Sequence, residues 1–374
     1  MVSTSKFPFY AKLALVLTGG YVFISILYVS QHIVVPFVYA LIISILLNPI
    51  VNYLERKKIK RVIAITIAVV IALLFTAGLV YLISSQLSMF NKSLPEMKQK
   101  FGDLFNRTSS WISVKFHISP EKINAWVIKT KTEIANNESA IIGQTLITIT
   151  GLLIVIFLIP VYIFMILYYK PLLLEFLSKL FAKIHQEKVE DVLLQTKTVI
   201  QNYLSGLLLE AVIIAFLNSA GLLILGIDYA ILLGIIGALL NAIPFIGGII
   251  SVAMPITVAL LTKNSFSYPV MVLLMYMLIQ FIDNHYITPK LVASKVKINA
   301  LIAVFTVLVG DALWGIPGMF LAIPLTGILK VIFEHIDELK PWAVLLGDDM
   351  PGSARLIFNF NRRKQDKPAK QAQK

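Results

Sequence analysis

Several features that are common in soluble enzymes are missing from this sequence of 374 residues, and cysteine is the first of them. Without cysteine there is no disulfide bond, no thiolate nucleophile and no cysteine-ligated metal. The phosphate-binding pattern G-x-x-x-x-G-K-[ST] is missing too, so ATP is not expected to drive the protein. The five histidines are scattered without metal-ligand spacing. We therefore expect no metal, no cofactor, no catalytic residue and no enzymatic activity.

Charge is also scarce, because 14% of the residues are charged whereas 58% are hydrophobic, and the mean hydropathy is +0.83. Such a composition does not allow one buried core under a wet surface. About eight apolar runs are long enough to cross a hydrocarbon layer of about 30 Å. They lie near 9–29, 33–53, 62–88, 144–169, 204–226, 229–262, 266–283 and 298–333. The sequence predicts an all-α polytopic membrane protein.

The basic residues that are present indicate how the chain is oriented. The formal net charge is +13, and Lys and Arg cluster in "ERKKIKR" (55–61), in "SKVK" (294–297) and in the C-terminal tail. Short basic flanks of membrane segments mark the cytoplasmic side, which predicts that both termini are cytoplasmic. The expected partner of these charges is the anionic lipid headgroup. Nucleic acid is not expected, because no aromatic stacking pattern is interleaved with the charges.

These signals divide the chain into six parts. They are three membrane segments (1–90), a helical cap outside the cell (91–143), a fourth segment (144–170), amphipathic cytoplasmic helices (171–203), a transport core (204–335) and a basic cytoplasmic tail (336–374).

Two of the apolar runs are too long for one crossing. The run 229–262 would make a helix of about 51 Å, and 298–333 a slightly longer one. Prolines and glycines in "NAIPFIGG" (241–248) and "WGIPG" (314–318) can break these runs, since proline removes a backbone donor and glycine permits a sharp turn. The predicted hairpin breakers are Pro244, Gly247, Gly248, Pro255, Gly315, Pro317, Gly318 and Pro324.

If both runs turn back inside the membrane, "SKVK" lies in the cytoplasm, as positive-inside topology requires. The units 204–262 and 266–333 then form an inverted repeat, each a crossing helix followed by a broken or re-entrant hairpin. A shared A-x-P-x-T pattern, at 253–257 and at 322–326, favours this repeat. Inverted repeats with discontinuous helices are typical of secondary transporters that work by alternating access.

Three stretches also resemble the autoinducer-2 exporter family of bacterial permeases: "IPFIGGIISVAMP" (243–255), "QFIDNHYITPKLV" (280–292) and "LWGIPGMFLAIPLTGILKV" (313–331). The resemblance covers nearly the whole chain. It implies a multi-pass protein of the bacterial inner membrane, a homo-oligomer, and export of a small molecule in some members or sodium- or lithium-proton antiport in others. Ala293, Ala300 and Asp311 depart from residues that are usual in the family, which affects the substrate more than the fold.

Polar residues inside the apolar segments are the candidates for a substrate or ion path, because burying a charge in a bilayer is costly. The candidates are Glu210, Asn218, Asn241, Gln280, Asp283, Asn284 and Asp311. Asp311 is the first choice for a coupling group because it lies centrally in the last apolar run. Asp283 is the second, with Gln280 and Asn284 on the same helical face. The alternatives are hydrogen-bond contacts between helices for the amides and solvation at the membrane edge for Glu210.

The function that fits best is a secondary transporter that exports a small polar molecule similar to autoinducer-2, either coupled to an ion gradient or running downhill. One alternative is a sodium (lithium)/proton antiporter. Another is a membrane scaffold that transports nothing, which would need no carboxylates within the membrane.

Overall fold

The computed structural model describes residues 8–116, 157–180, 186–241, 246–263 and 265–348, and the helices in these ranges are accompanied by no β-strand. The helices are α1 (Phe9–Val29), α2 (Gln31–Arg56), α3 (Arg61–Phe116), α4 (Phe157–Leu180), α5 (Gln186–Ile224), α6 (Ala230–Asn241), α7 (Ile246–Thr262), α8 (Ser267–Ile282), α9 (Ser294–Val296), α10 (Ala300–Trp314), α11 (Ile316–His335) and α12 (Lys340–Leu346). Two π-helical stretches, Asp283–Ile287 and Pro289–Ala293, connect α8 to α9.

Seven helical spans in the described part of the chain are long and apolar enough to cross a membrane. Three further apolar helices, α6, α7 and α10, are shorter. The prediction of an all-α polytopic fold is confirmed. The sixth and eighth apolar runs each consist of two helices. The eighth still contributes one span, α11, but both helices of the sixth are too short, so seven spans correspond to eight runs.

Helix α3 is the longest, with 56 residues and Pro95 inside it. At 1.5 Å per residue it is about 84 Å long, far more than a bilayer core requires. Its apolar span ends near Phe90. The predicted cap therefore begins as a direct continuation of the third membrane helix, and its remainder, 117–143, lies outside the described residues.

The predicted boundaries at 170 and 203 do not coincide with helix ends. Helix α4 continues through Pro171 to Leu180, and α5 runs without interruption from Gln186 to Ile224. No proline occurs in α5, so nothing stops the helix where the chain passes from the amphipathic stretch into the apolar one. Residues 144–156 and the tail from 349 onward lie outside the described residues.

The two long runs fold into antiparallel helical hairpins. In the first, Gly237 of α6 lies beside Ser251 of α7, and Ala230 and Val258 share one hydrophobic core at the open end. In the second, α10 and α11 are joined by Gly315 alone, whose φ of +64° is a conformation that favours glycine.

Gly310 and Gly318 make this second hairpin tight. A Cβ atom on either glycine would overlap the backbone carbonyl of the other. Gly318 is thus required for close helix packing and not for the turn, because it lies in the first part of α11 and only Gly315 has a positive φ there.

The other predicted breakers occupy several kinds of position. Gly247 and Gly248 lie in the first turn of α7. Pro317 lies in the first turn of α11, where its missing N–H breaks no helical hydrogen bond. Pro244 lies outside the described residues.

The prediction that Pro255 and Pro324 break their helices is wrong. Both prolines lie inside helices, in α7 and α11, and both are fully buried. In both cases the threonine two residues later donates to the alanine carbonyl four residues before it, over 2.9 Å for Thr257 and 2.7 Å for Thr326.

Four contacts bring the basic segments to one side of the molecule. A Cβ on Gly206 of α5 would meet the Leu291 carbonyl, and Gln195 at the start of α5 reaches His335 at the end of α11. Gln201 donates to the Ile45 carbonyl of α2, and Arg61 to the Leu167 carbonyl of α4. The stretches 55–61 and 294–297 therefore lie on the same side as the first half of α5.

Candidate functional site

A cavity of about 600 Å³ lies between the two hairpins, α5 and the π-helical stretches. Its polar lining comes from Tyr203, Glu210, Asn241, Gln280, Asp283, Asn284 and Thr288. The second hairpin contributes Ala303 and Ile323. The size is typical of a site for a small ligand. Five of the seven polar residues predicted for the path thus line one cavity.

Two carboxyl groups define the polar centre of this cavity. Glu210 of α5 is 7% exposed and Asp283 is 2% exposed. The Thr288 hydroxyl lies 3.1 Å from Glu210 Oε1 and 3.1 Å from Asp283 Oδ1. Because one hydroxyl carries one proton, Thr288 can donate to only one carboxylate at a time.

The π-helical backbone explains why Asp283 and Thr288 meet. They are five residues apart, and the Thr288 N–H bonds to the Asp283 carbonyl in the i to i+5 pattern. In an α-helix these side chains would point to different faces. Pro289 follows, and since it has no N–H it cannot continue the α-helical hydrogen bonding. The proline in the local sequence "ITPK" therefore favours the π-helical backbone that brings Asp283 and Thr288 together.

Amide side chains complete the polar lining. Asn241, at the end of α6, donates to Asp283 Oδ2 over 2.8 Å, which ties the first hairpin to the π-helical stretch. Gln280 donates to Asn284 Oδ1 over 3.3 Å. A Cβ on Gly248 would lie 3.7 Å from the Gln280 amide oxygen, so the start of α7 also borders the cavity.

Sequence reasoning missed Thr288 and Tyr203. A hydroxyl is inexpensive to place in an apolar segment compared with a charge, so neither residue is conspicuous. The signal that was available for Thr288 is the proline directly after it.

Two predicted path residues lie elsewhere. Asp311 is exposed in the last turn of α10, close to Gly315, whose N–H donates to the Asp311 carbonyl over 2.7 Å. Asn218 is buried in α5 but does not line the cavity. The position of Asp311 follows from the fold, because the centre of the run 298–333 is the tip of a hairpin.

The charges of the site favour a cationic ligand. Among the described residues, neither Glu210 nor Asp283 forms an ion pair with a basic side chain, and no group of three or more His, Asp or Glu residues suits a metal ion. Two negative charges so close in a buried site repel each other strongly. A proton or a monovalent cation relieves this repulsion, and carboxylate, hydroxyl and amide oxygens are suitable ligands for a hard cation.

The chain is similar in sequence to proteins of one known family. Residues 15–338 match the family described as AI-2E family transporter. The AI-2 transport protein TqsA of Escherichia coli K12 is 25% identical over 331 residues, which cover 85% of this chain and 90% of TqsA. A Haemophilus influenzae protein provisionally described as a transport protein is 28% identical over 334 residues, 85% of this chain and 91% of its own length. YhhT of E. coli K12, also provisionally described as a transport protein, is 24% identical over 349 residues, with 92% and 94% covered.

Proposed function

The chain belongs to the AI-2E transporter family, and from this we propose that it is a secondary transporter that exports a small polar molecule similar to autoinducer-2. The observation that carries the proposal is the cavity between the two hairpins, whose polar lining includes two buried carboxyl groups. A site at the meeting point of discontinuous helices is what alternating access requires. The relative named for AI-2 transport supports the choice of cargo.

The proposed motion uses the two units as an inverted repeat. Each unit has one crossing helix, α5 or α8, followed by one hairpin, α6–α7 or α10–α11. The matched prolines Pro255 and Pro324, with the same threonine-to-alanine hydrogen bond after each, support this pairing. Rocking of one unit against the other would expose the cavity to each side of the membrane in turn.

Sodium (lithium)/proton antiport is the second candidate, and the carboxyl pair favours it. Glu210 and Asp283 have one hydroxyl donor between them and no basic partner among the described residues. An exchange of a proton for a monovalent cation at this pair would be sufficient for antiport. If the protein is an exporter, the same exchange of a proton for a cation would couple solute export to the ion gradient.

We further propose that the protein lies in the bacterial inner membrane as a homo-oligomer with both termini in the cytoplasm, in contact with anionic lipids. Helix α1 supports association, since none of its apolar span is buried within the chain. Lipid tails or a second copy of the chain would cover it.

Reconstitution into vesicles tests the proposal. Autoinducer-2 efflux and cation-driven proton movement are measured side by side with Na⁺ and Li⁺. We expect Glu210→Gln and Asp283→Asn each to lower gradient-driven transport about tenfold or more, because the coupling charge is removed, while downhill exchange persists. Asp311→Asn tests the competing sequence-based choice. If the wild-type protein showed no autoinducer-2 efflux and no proton movement with Na⁺ or with Li⁺, the alternative of a membrane scaffold that transports nothing would be favoured.

A further inference from the structure

Two buried polar groups near the cavity have no hydrogen-bond partner in the described part of the chain. They are the side-chain oxygen of Asn218 on α5 and the hydroxyl of Tyr276 on α8. Each residue is 2% exposed. Buried polar atoms are nearly always hydrogen-bonded, because an unpaired one loses its hydration without compensation. A partner that is not part of the described chain is therefore expected at these two groups.

Gly237 of α6 lies beside both side chains, and the Asn218 atom nearest to it is the nitrogen of the amide whose oxygen is unpaired. A Cβ atom on Gly237 would lie 3.3 Å from the Asn218 amide nitrogen and 3.5 Å from the Tyr276 hydroxyl. Ser251 of α7 borders the same point, with its Cβ at 3.4 Å, and its hydroxyl donates to the Gly248 carbonyl while keeping its own lone pairs. Four helices thus each place one residue around the position where Gly237 has no side chain.

This cluster, which we call the Gly237 site, lies outside the cavity lining but shares the helices α5 and α8 with it. Asn218 lies two turns beyond Glu210 on α5, about 12 Å along the helix. Tyr276 lies one turn before Gln280 on α8, about 6 Å along that helix. Glu210 and Gln280 both line the cavity. Polar groups therefore follow α5 and α8 from the cavity toward the open end of the first hairpin.

We propose that the Gly237 site binds a hydroxyl group and is a second station on the transport path, an inference that rests on the proposed function. A single O–H group satisfies both unpaired atoms, since it can donate to the Asn218 amide oxygen and accept from the Tyr276 hydroxyl. The hydroxyl belongs either to a water molecule or to the transported solute. Both sources present the same chemistry to the site.

Accessibility of the site can be measured without knowing the cargo, because the chain has no cysteine. Cysteine is introduced at Gly237 and, as a matched control, at the neighbouring Ala238, which is 3% exposed and packs in an apolar cluster with Ile214 and Ile279. We expect a small charged thiol reagent to modify Gly237→Cys at least about tenfold faster than Ala238→Cys, since ordinary burial protects a thiol from the reagent. Equal, slow modification of both variants would overturn the proposal.

The source of the hydroxyl can be read from the same assay. If autoinducer-2 protects Gly237→Cys from modification, the solute provides the hydroxyl. If the reagent modifies the cysteine equally with and without the solute, water provides it.

Tyr276→Phe supplies a test that does not depend on the introduced cysteine. If the hydroxyl were merely structural and unpaired, its removal would leave transport unchanged and the melting temperature equal or higher. We expect transport to fall about tenfold, the effect of one lost hydrogen bond, while the melting temperature does not fall. Unchanged transport by Tyr276→Phe, in vesicles where Glu210→Gln is impaired, would contradict the second station and leave the proposed function intact. Failure of wild-type transport would instead contradict the proposed function.

Discussion

Thr288 is the residue on which the geometry of the carboxyl pair depends. Its hydroxyl lies equally far from Glu210 and Asp283, at 3.1 Å, and it is only partly buried, so the site is open to the cavity. A hydrogen bond to a charged group contributes about 1.5–3 kcal/mol, more than one between neutral groups. The hydroxyl therefore stabilises whichever carboxylate carries the negative charge.

Substitution of Thr288 tests this role. Thr288→Val keeps the side-chain shape and removes the donor, so we expect the cation or pH dependence of transport to shift and the rate to fall about tenfold or more. Thr288→Ser keeps the donor and is the matched control, with near-normal dependence expected. Identical behaviour of the two variants in vesicle assays would mean that the hydroxyl has no part in the site.

The candidate residues show what sequence can and cannot predict at this scale. Glu210, Asn241, Gln280, Asp283 and Asn284 were identifiable because polar groups in apolar runs are costly and therefore rare. Their convergence around one cavity was not predictable, since it depends on how α5, α6 and α8 pack. Asp311 is the first choice from sequence because of its central place in a run, but the run folds at Gly315 and Asp311 lies exposed near the tip of the hairpin.

At the scale of elements, the two hairpins are held in different ways. The end of α6 is held by the Asn241–Asp283 hydrogen bond. The tip of the second hairpin is held by the first two helices instead, because Tyr39 donates to the Pro317 carbonyl over 3.1 Å and Trp314 to the Leu27 carbonyl over 3.1 Å. Only the first attachment depends on a group whose charge can change.

Gly318 tests the packing of the second hairpin. We expect Gly318→Ala to destabilise the protein by at least about 1–3 kcal/mol, because the added methyl group overlaps the Gly310 carbonyl and forces the helices apart. Gly78→Ala in α3 is the control, since no atom lies within 4 Å of its Cβ position. Thermal unfolding in detergent measures both. A melting temperature for Gly318→Ala at or above that of the control would contradict the close packing.

The hairpins could be predicted from sequence in part. Glycine marks the second break, where Gly315 has a positive φ, whereas Pro244 at the first break lies outside the described residues. Pro255 and Pro324 carry the same local signal and yet stay within helices, where both are fully buried. The local sequence alone therefore does not tell a proline that ends a helix from one that lies within it.

At the scale of the whole molecule, the contacts of α5 place its first half, the π-helical stretch and the end of α11 on one side. Helix α2 joins them through the hydrogen bond from Gln201 to the Ile45 carbonyl, and Arg61 after it bonds to the Leu167 carbonyl of α4. Lys290, Lys295 and Lys297 are exposed on this side. A single basic side is what positive-inside topology predicts for the cytoplasmic face.

Cysteine labelling on intact cells tests this orientation. We expect an impermeant reagent to label Ser110→Cys, near the far end of α3, and not Ser294→Cys, because both side chains are exposed and the proposed topology puts them on opposite sides of the membrane. Permeabilised cells, in which both cysteines should react, are the control. Labelling at position 294 from outside would overturn the cytoplasmic placement of the basic side.

The π-helical stretch has a mechanical consequence. A return of residues 283–293 to α-helical hydrogen bonding would move each N–H by one partner and turn α8 relative to α9. Asp283 would then swing away from Thr288 and Glu210, and Gln280 would turn with it. The carboxyl pair with its shared hydroxyl therefore depends on the π-helical form of this stretch, and any change of that form would separate the two groups.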